Sequence, residues 1–213
     1  TCHRLFEKRV EKDFWRRIRE ELQELAEASP DKFLTAIEAD LAQGQPQILD
    51  LFEEEGIHGA CLHANLLWAL ELLAWAPEHV GRVALILAAL AEQDPGGRWS
   101  NRPLSSLVDL LLAWNPQSNT MVSERKQLFS MIAQRYPIIG WNLGKALMPG
   151  ETRIMNPGAR PKLRGWAPET KSKSVLKAEY WAEIQDISSR LLEMAGYDPE
   201  RWNFLLSNLN SFM

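Results

Sequence analysis

A chain of 213 residues, 46% apolar and 24% charged, has enough apolar surface to bury a core without metal or disulfide support. That balance excludes general disorder, and ordinary Gly and Pro usage (12 of each) excludes collagen-like and low-complexity classes. A net charge of −4 excludes a nucleic-acid footprint spread over the whole surface.

Helical periodicity dominates, and strand alternation is nearly absent. Phe6, Val10, Phe14, Ile18, Leu22 and Leu25 recur at three or four residues, which predicts one amphipathic helix closed by Ser29-Pro30. Its Glu and Arg side chains read as a solvated face with weak i,i+4 pairing. Phe33, Ile37 and Leu41 mark a second helix ending at Gly44, and Pro46 opens a short third through Ile48, Leu49 and Phe52. The acidic run Glu53 to Glu55 ends at Gly56. From His58 to Trp75 the helical pattern turns apolar, and Pro77 starts the next helix, to about Glu92. Asp94-Pro95-Gly96-Gly97 is a turn signal. Further helices follow from Pro103 to Trp114, from about Met121 to Arg135, and from Pro137 to Leu147. Met148 to Lys173 is irregular and rich in Pro and Gly. The last two helices run from about Ser174 to Ala195 and from Pro199 to Leu209, with Gly196 as a stop and Asp198 as a cap.

Leu72-Leu73-Ala74-Trp75-Ala76-Pro77 echoes Leu111-Leu112-Ala113-Trp114-Asn115-Pro116 at an offset of 39 residues, and Arg82 with Leu85 parallels Arg125 with Leu128. A period near 40 holding two helices falls close to the HEAT/armadillo range. The expected fold is all-α: antiparallel helix pairs stacked as a HEAT/TPR-like α-α superhelix of about nine to ten helices. It forms a single helical domain, with N-terminal helices over 1–56, a repeat-like core over 57–148, a basic loop over 149–173 and a C-terminal helix pair over 174–213.

Of nine tryptophans, Trp15, Trp68, Trp75, Trp114, Trp141, Trp181 and Trp202 fall on helices or at helix ends, where core packing is the simpler reading. Trp99 and Trp166 sit in loops beside arginines. The segment Asp94–Pro103 brings Arg98, Trp99, Asn101 and Arg102 to a helix N-terminus, a favourable place for an anion. It reads either as a recognition loop or as a rigid connector in which Trp99 packs and Arg102 pairs with a neighbouring acid.

Charge is uneven. Residues 151–177 carry Arg153, Arg160, Lys162, Arg164, Lys171, Lys173 and Lys177 against Glu151 and Glu169, a local +5 that leaves −9 on the remainder. Arg160, Lys162, Arg164 and Trp166 suit phosphate contact and base stacking, so a nucleic-acid-binding module using residues 153–177 is the alternative function. The same segment suits docking on the acidic remainder of the chain.

His58 and His63, five apart around Cys61, do not make a zincin pair, and we expect no metal and no cofactor. No nucleophile elbow and no isolated acidic pair occurs, so the chain reads as non-enzymatic. An enzymatic reading would require a structure that brings His63, Asp94 or Glu71 together in a cleft. Two cysteines without redox spacing, no apolar run near 18 residues and a charged N-terminal stretch predict a cytoplasmic protein with no membrane contact. A first residue of Thr rather than Met leads us to expect a piece of a longer protein.

From about His63 to Trp166 the chain resembles a helical region of large bacterial multidomain proteins, including STAND-type NTPases and related antiviral-defence proteins. Leu67-Trp68-Ala69-Leu70-Glu71-Leu72-Leu73-Ala74-Trp75, Asp94-Pro95-Gly96-Gly97, Asn101-Arg102-Pro103-Leu104, Trp114-Asn115-Pro116-Gln117 and Gly140-Trp141 carry it. The resemblance implies a scaffold that senses a ligand or holds an assembly, with an NTPase or effector enzyme elsewhere. No Walker A motif occurs in this chain. The expected function is a non-catalytic helical interaction module, binding a protein partner or a neighbouring domain.

Overall fold

The computed structural model describes residues 2–53, 60–149, 158–167 and 176–208. Among these described residues every regular element is helical. The chain opens with α1 (Cys2–Glu7), a 3-10 turn at Lys8–Val10, α2 (Phe14–Arg17), a second 3-10 turn at Arg19–Glu21, and α3 (Leu22–Ala28).

The single helix expected from Phe6 to Leu25 is therefore broken. A straight helix would place Val10 in the apolar seam with Phe6 and Phe14, yet Val10 is 66% exposed while Phe14 and Trp15 are both buried. A turn in the chain ahead of Phe14 takes Val10 out of that seam. Asp13 supplies it with φ +59°, a left-handed conformation that Asp tolerates better than most residues. The bend lays α2 against the 3-10 helix Gln47–Phe52, whose Ile48, Leu51 and Phe52 are buried.

The rest follows the sequence pattern: α4 (Pro30–Leu41), α5 (Ala64–Leu73), α6 (Pro77–Glu92), α7 (Pro103–Leu111), α8 (Val122–Arg135), α9 (Pro137–Leu147), α10 (Lys177–Ala195) and α11 (Pro199–Ser207). Proline occupies the first position of α4, α6, α7, α9 and α11, where its fixed φ suits a helix and its missing N–H leaves no gap. Asp198 caps α11 by accepting from the N–H groups of Glu200 and Arg201 at 2.9 and 3.2 Å. Gly196, at φ +50°, stops α10. The helix expected from His58 starts at Ala64; His58 itself lies outside the described residues.

The helices pack as two ladders. Helices α3, α5, α7 and α9 touch in that order, and α4, α6, α8 and α10 do the same. Rungs join α3 to α4, α5 to α6, α6 to α7, α8 to α9 and α9 to α10. This arrangement is consistent with stacked helix pairs. Between the ladders lies a continuous core that includes Phe33, Leu67, Leu70, Leu87, Leu107 and Phe129. Buried at the N-terminal end, Asp40 accepts from the Ile48 N–H at 2.8 Å and so fixes the chain leaving α4.

The 39-residue echo holds in sequence and separates in space. Pro77 opens α6, whereas Pro116 lies in an irregular stretch and the next helix begins only at Val122. Trp75 is 4% exposed and Trp114 is 47% exposed. The two arginines keep a common habit, each reaching to a neighbour in its own ladder. Arg82 on α6 binds Glu38 of α4 at 2.7 Å, and Arg125 on α8 binds Glu183 of α10 at 2.6 Å.

Candidate interaction surface

Residues 158–167 lie across the helix ends of the two ladders, and two carboxylates, the buried Glu27 and the half-buried Glu71, hold them there. Gln23 on α3 donates to Asn65 on α5 at 3.0 Å, so the starts of these helices are neighbours. Their last turns therefore emerge on one edge. Glu27 stands in the last turn of α3 and Glu71 in the last turn of α5. A carboxylate at a helix C-terminus opposes the helix dipole, so neither serves its own helix.

Both face the crossing segment instead. Glu27, only 3% exposed, accepts from the backbone N–H groups of Lys162, Leu163 and Arg164 at 2.8, 2.7 and 3.1 Å. Three successive N–H groups converging on one anion form a nest. Arg164 adds a bond from Nε to the Glu27 carbonyl at 3.2 Å, placing a cation where α3 ends. Glu71 accepts from the Ala159 N–H at 2.9 Å and from the Ser106 hydroxyl at 2.7 Å. Burial pushes the Glu71 carboxyl above the ordinary glutamate value, and these two bonds pull it partly back.

Rings complete the contact. The Trp75 indole N–H donates to the Ala159 carbonyl at 3.1 Å, and the Arg160 guanidinium lies 4.6 Å from the Trp75 ring centroid. Trp166 meets His79 edge-on with centroids 6.1 Å apart, and Arg164 lies over Trp166 at 5.6 Å. The described part of the basic stretch is thus docked on the acidic body of the chain. Of its four cations, Arg160 and Arg164 stack on indoles of the same chain, Lys162 extends outward exposed, and Lys177 opens α10. Arg153, Lys171 and Lys173 lie outside the described residues.

The two carboxylates give opposed expectations for the same change. In Glu71→Gln the amide oxygen still accepts from Ala159, and its NH2 finds the Ser106 oxygen. Stability should stay within about 1 kcal/mol of the parent at pH 7. In Glu27→Gln an NH2 must face at least one backbone N–H, so we expect a loss of about 2 kcal/mol. Urea titration of both variants checks the contrast. A glutamate held above its unfolded value, about 4.5, loses stability as pH rises through that window, because the native state binds more protons there. The Glu71→Gln variant should therefore gain on the parent as pH is raised from 4.5 to 7.

Within the Asp94–Pro103 loop Arg102 pairs with an acid and Trp99 is half-buried. Asp94 accepts from the Gly96 N–H at 3.0 Å and from Arg102 Nε at 2.9 Å, with Gly96 and Gly97 at positive φ. The Arg102 guanidinium also lies 5.5 Å from the centroid of Phe52. The Asn101 carbonyl accepts from His63 Nε2 at 2.8 Å, and the His63 ring stacks on Phe52 at 4.7 Å. Arg98 lies 4.9 Å above the half-buried Trp99. Asp94 thus closes the loop on itself, and the Asn101 carbonyl ties it to His63 at the start of α5. His63 precedes α5 and Glu71 stands in its last turn, about 12 Å apart at the helical rise. Among the described residues, no three His, Cys, Asp or Glu groups are placed to hold a metal ion. No helix among them is long and apolar enough to cross a membrane.

The tryptophan expectation requires a correction. Trp15, Trp75 and Trp141 are buried as expected, but Trp68, Trp114, Trp181 and Trp202 are exposed. A helical position places an indole on a face without deciding whether that face is covered. Between α10 and α11 runs an apolar groove of about 260 Å³, lined by Gln185, Ser188, Leu192, Trp202 and Leu206 among others. Trp181 continues the α10 stripe through Gln185, Ser188 and Leu192 at helical spacing. Leu192, Trp202 and Leu206 remain exposed around it.

Sequence reasoning missed Glu27 and considered Glu71 only for an enzymatic cleft, not as an anchor for the crossing segment. The available signal was position: a lone acid inside an apolar helical run, and an acid in the last turn before Ser29-Pro30. By fold and surface the chain is an all-helical protein built of two ladders with an edge of helix ends. No protein-family model, no curated protein and no solved structure matches it.

Proposed function

We propose that this chain is a non-catalytic helical scaffold, a HEAT- or TPR-like stack within a larger bacterial protein, that binds another protein or a neighbouring domain. One observation carries the reading: the exposed apolar groove of α10 and α11, walled by Leu192, Trp202 and Leu206 and extended by Trp181. Large apolar side chains grouped on one exposed face supply the driving force for association, and aromatic residues are favoured at such contacts. The double ladder supports it, since such stacks offer long surfaces while the core stays fixed.

The test is a photo-reactive amino acid at Leu206, introduced into the full chain in its native cell. A discrete protein adduct is expected, or an internal cross-link if the partner is a flanking domain. Leu192→Glu should abolish it, and the same probe at exposed Val10, far from the groove in sequence, should give none. Adducts equal at both positions, or unchanged by Leu192→Glu, reject the reading.

A further inference from the structure

The geometry points to a second binding site: the edge formed by the last turns of α3 and α5 takes a basic polypeptide segment bent around an anion, and residues 158–167 are its resident occupant, exchangeable for a partner segment of the same chemistry. This inference does not rest on the α10–α11 groove.

Three observations carry it. The first is the placement of Glu27 and Glu71, acids in the last turns of their own helices whose polar contacts run to the crossing segment and to Ser106. The second is the mode of contact. Glu27 reads three consecutive backbone N–H groups, which any non-proline sequence offers, so the grip does not depend on the side chains of Lys162 and Leu163. Both of those side chains are exposed. The third is charge and ring complementarity at the two ends. Trp75 receives a guanidinium from Arg160, and His79 receives the indole of Trp166 six residues later. The chemistry of a fitting partner follows: a segment with Arg at the first position, a bend that converges N–H donors at the third to fifth, and an aromatic residue at the seventh.

Exchange, rather than vacancy, is the physical expectation. Glu27 is 3% exposed with the segment in place, so an empty edge would trade three N–H donors for water, and a competing backbone restores them. A tethered occupant competes at an effective concentration of roughly millimolar, so a free peptide meets the parent protein as a weak site.

The experiment uses a labelled decapeptide with the sequence of residues 158–167, titrated onto the full chain and onto the full-length Arg160→Ala/Trp166→Ala variant. That variant loosens the resident and leaves the edge intact. The peptide should bind the variant about tenfold more tightly than the parent, as expected when a tethered competitor weakens. Adding Glu27→Gln should reverse the gain. A decapeptide with proline in place of Lys162, Leu163 and Arg164 should not bind. On the parent, saturating peptide should speed hydrogen exchange at the amides of residues 162–164, a reading that holds even if the variant fails to fold. Equal binding of the proline peptide, or amides 162–164 that stay protected at saturation, overturns the inference and makes the segment a fixed part of the fold.

Discussion

Replacing Arg125 with methionine is expected to lower stability by about 3–5 kcal/mol, seen as a fall in the urea midpoint with little change in slope. Arg125 and Glu183 are 4% and 2% exposed and meet through two bonds, Nε to Oε1 at 2.9 Å and Nη2 to Oε2 at 2.6 Å. This pair joins α8 to α10 across 58 residues of chain. Removing one partner leaves the other charge buried and unpaired, which costs far more than the pair contributes as a unit. The Thr120 carbonyl, which accepts from Arg125 Nη1 at 3.0 Å, is orphaned as well. The double variant Arg125→Met/Glu183→Leu should recover most of the loss, because no charge then remains to be solvated. A double variant as unstable as the single one would show that the loss comes from misfitted volume instead.

The second large effect is expected at a glycine. A Cβ on Gly140 would sit 2.4 Å from the Cα of Ala133 and 3.1 Å from its amide nitrogen, so the obstacle is the backbone of α8. Neither helix can yield without separating along its length. Gly140→Ala should cost about 3 kcal/mol, the top of the usual range for overpacking. Gly144, one turn later on α9, provides the comparison. Its added Cβ would meet Leu191 Cδ2 at 2.7 Å and Phe129 Cζ at 3.1 Å, both ends of side chains. Gly144→Ala should cost about 1 kcal/mol, since rotamers can adjust. Thermal melts of the two variants decide whether closeness of helix backbones sets the order.

Most of the fold is written locally in the chain. Prolines 30, 77, 103, 137 and 199 each begin a helix, because the ring presets the backbone whatever lies around it. The bend at Asp13 was not legible. Phe6, Val10, Phe14 and Ile18 satisfy a straight helix equally well, and only the pocket offered by Ile48, Leu51 and Phe52 decides otherwise. Trp75 and Trp114 share a local sequence and part company for the same kind of reason. Trp75 finds the Ala159 carbonyl and Arg160, supplied from 84 and 85 residues downstream. The docking edge was half legible: the excess positive charge of the segment is plain in the sequence, and its preference for an acidic surface follows. That Glu27 and Glu71 are the acids depends on two helices ending side by side, a fact of packing that no local window contains.

The crossing segment also changes how the stack should come apart. Where helices touch only near neighbours, unfolding begins at an end and moves inward one unit at a time, so a stack melts gradually. Here a strap from beyond α9 is fastened to α3 and α5, joining residues 88 to 137 positions apart. Fraying at the N-terminal end must then break the strap's bonds as well, so local opening there is costlier while residues 158–167 hold the edge. A partner segment that displaces the strap would return the ladder to the gradual melting of an open stack.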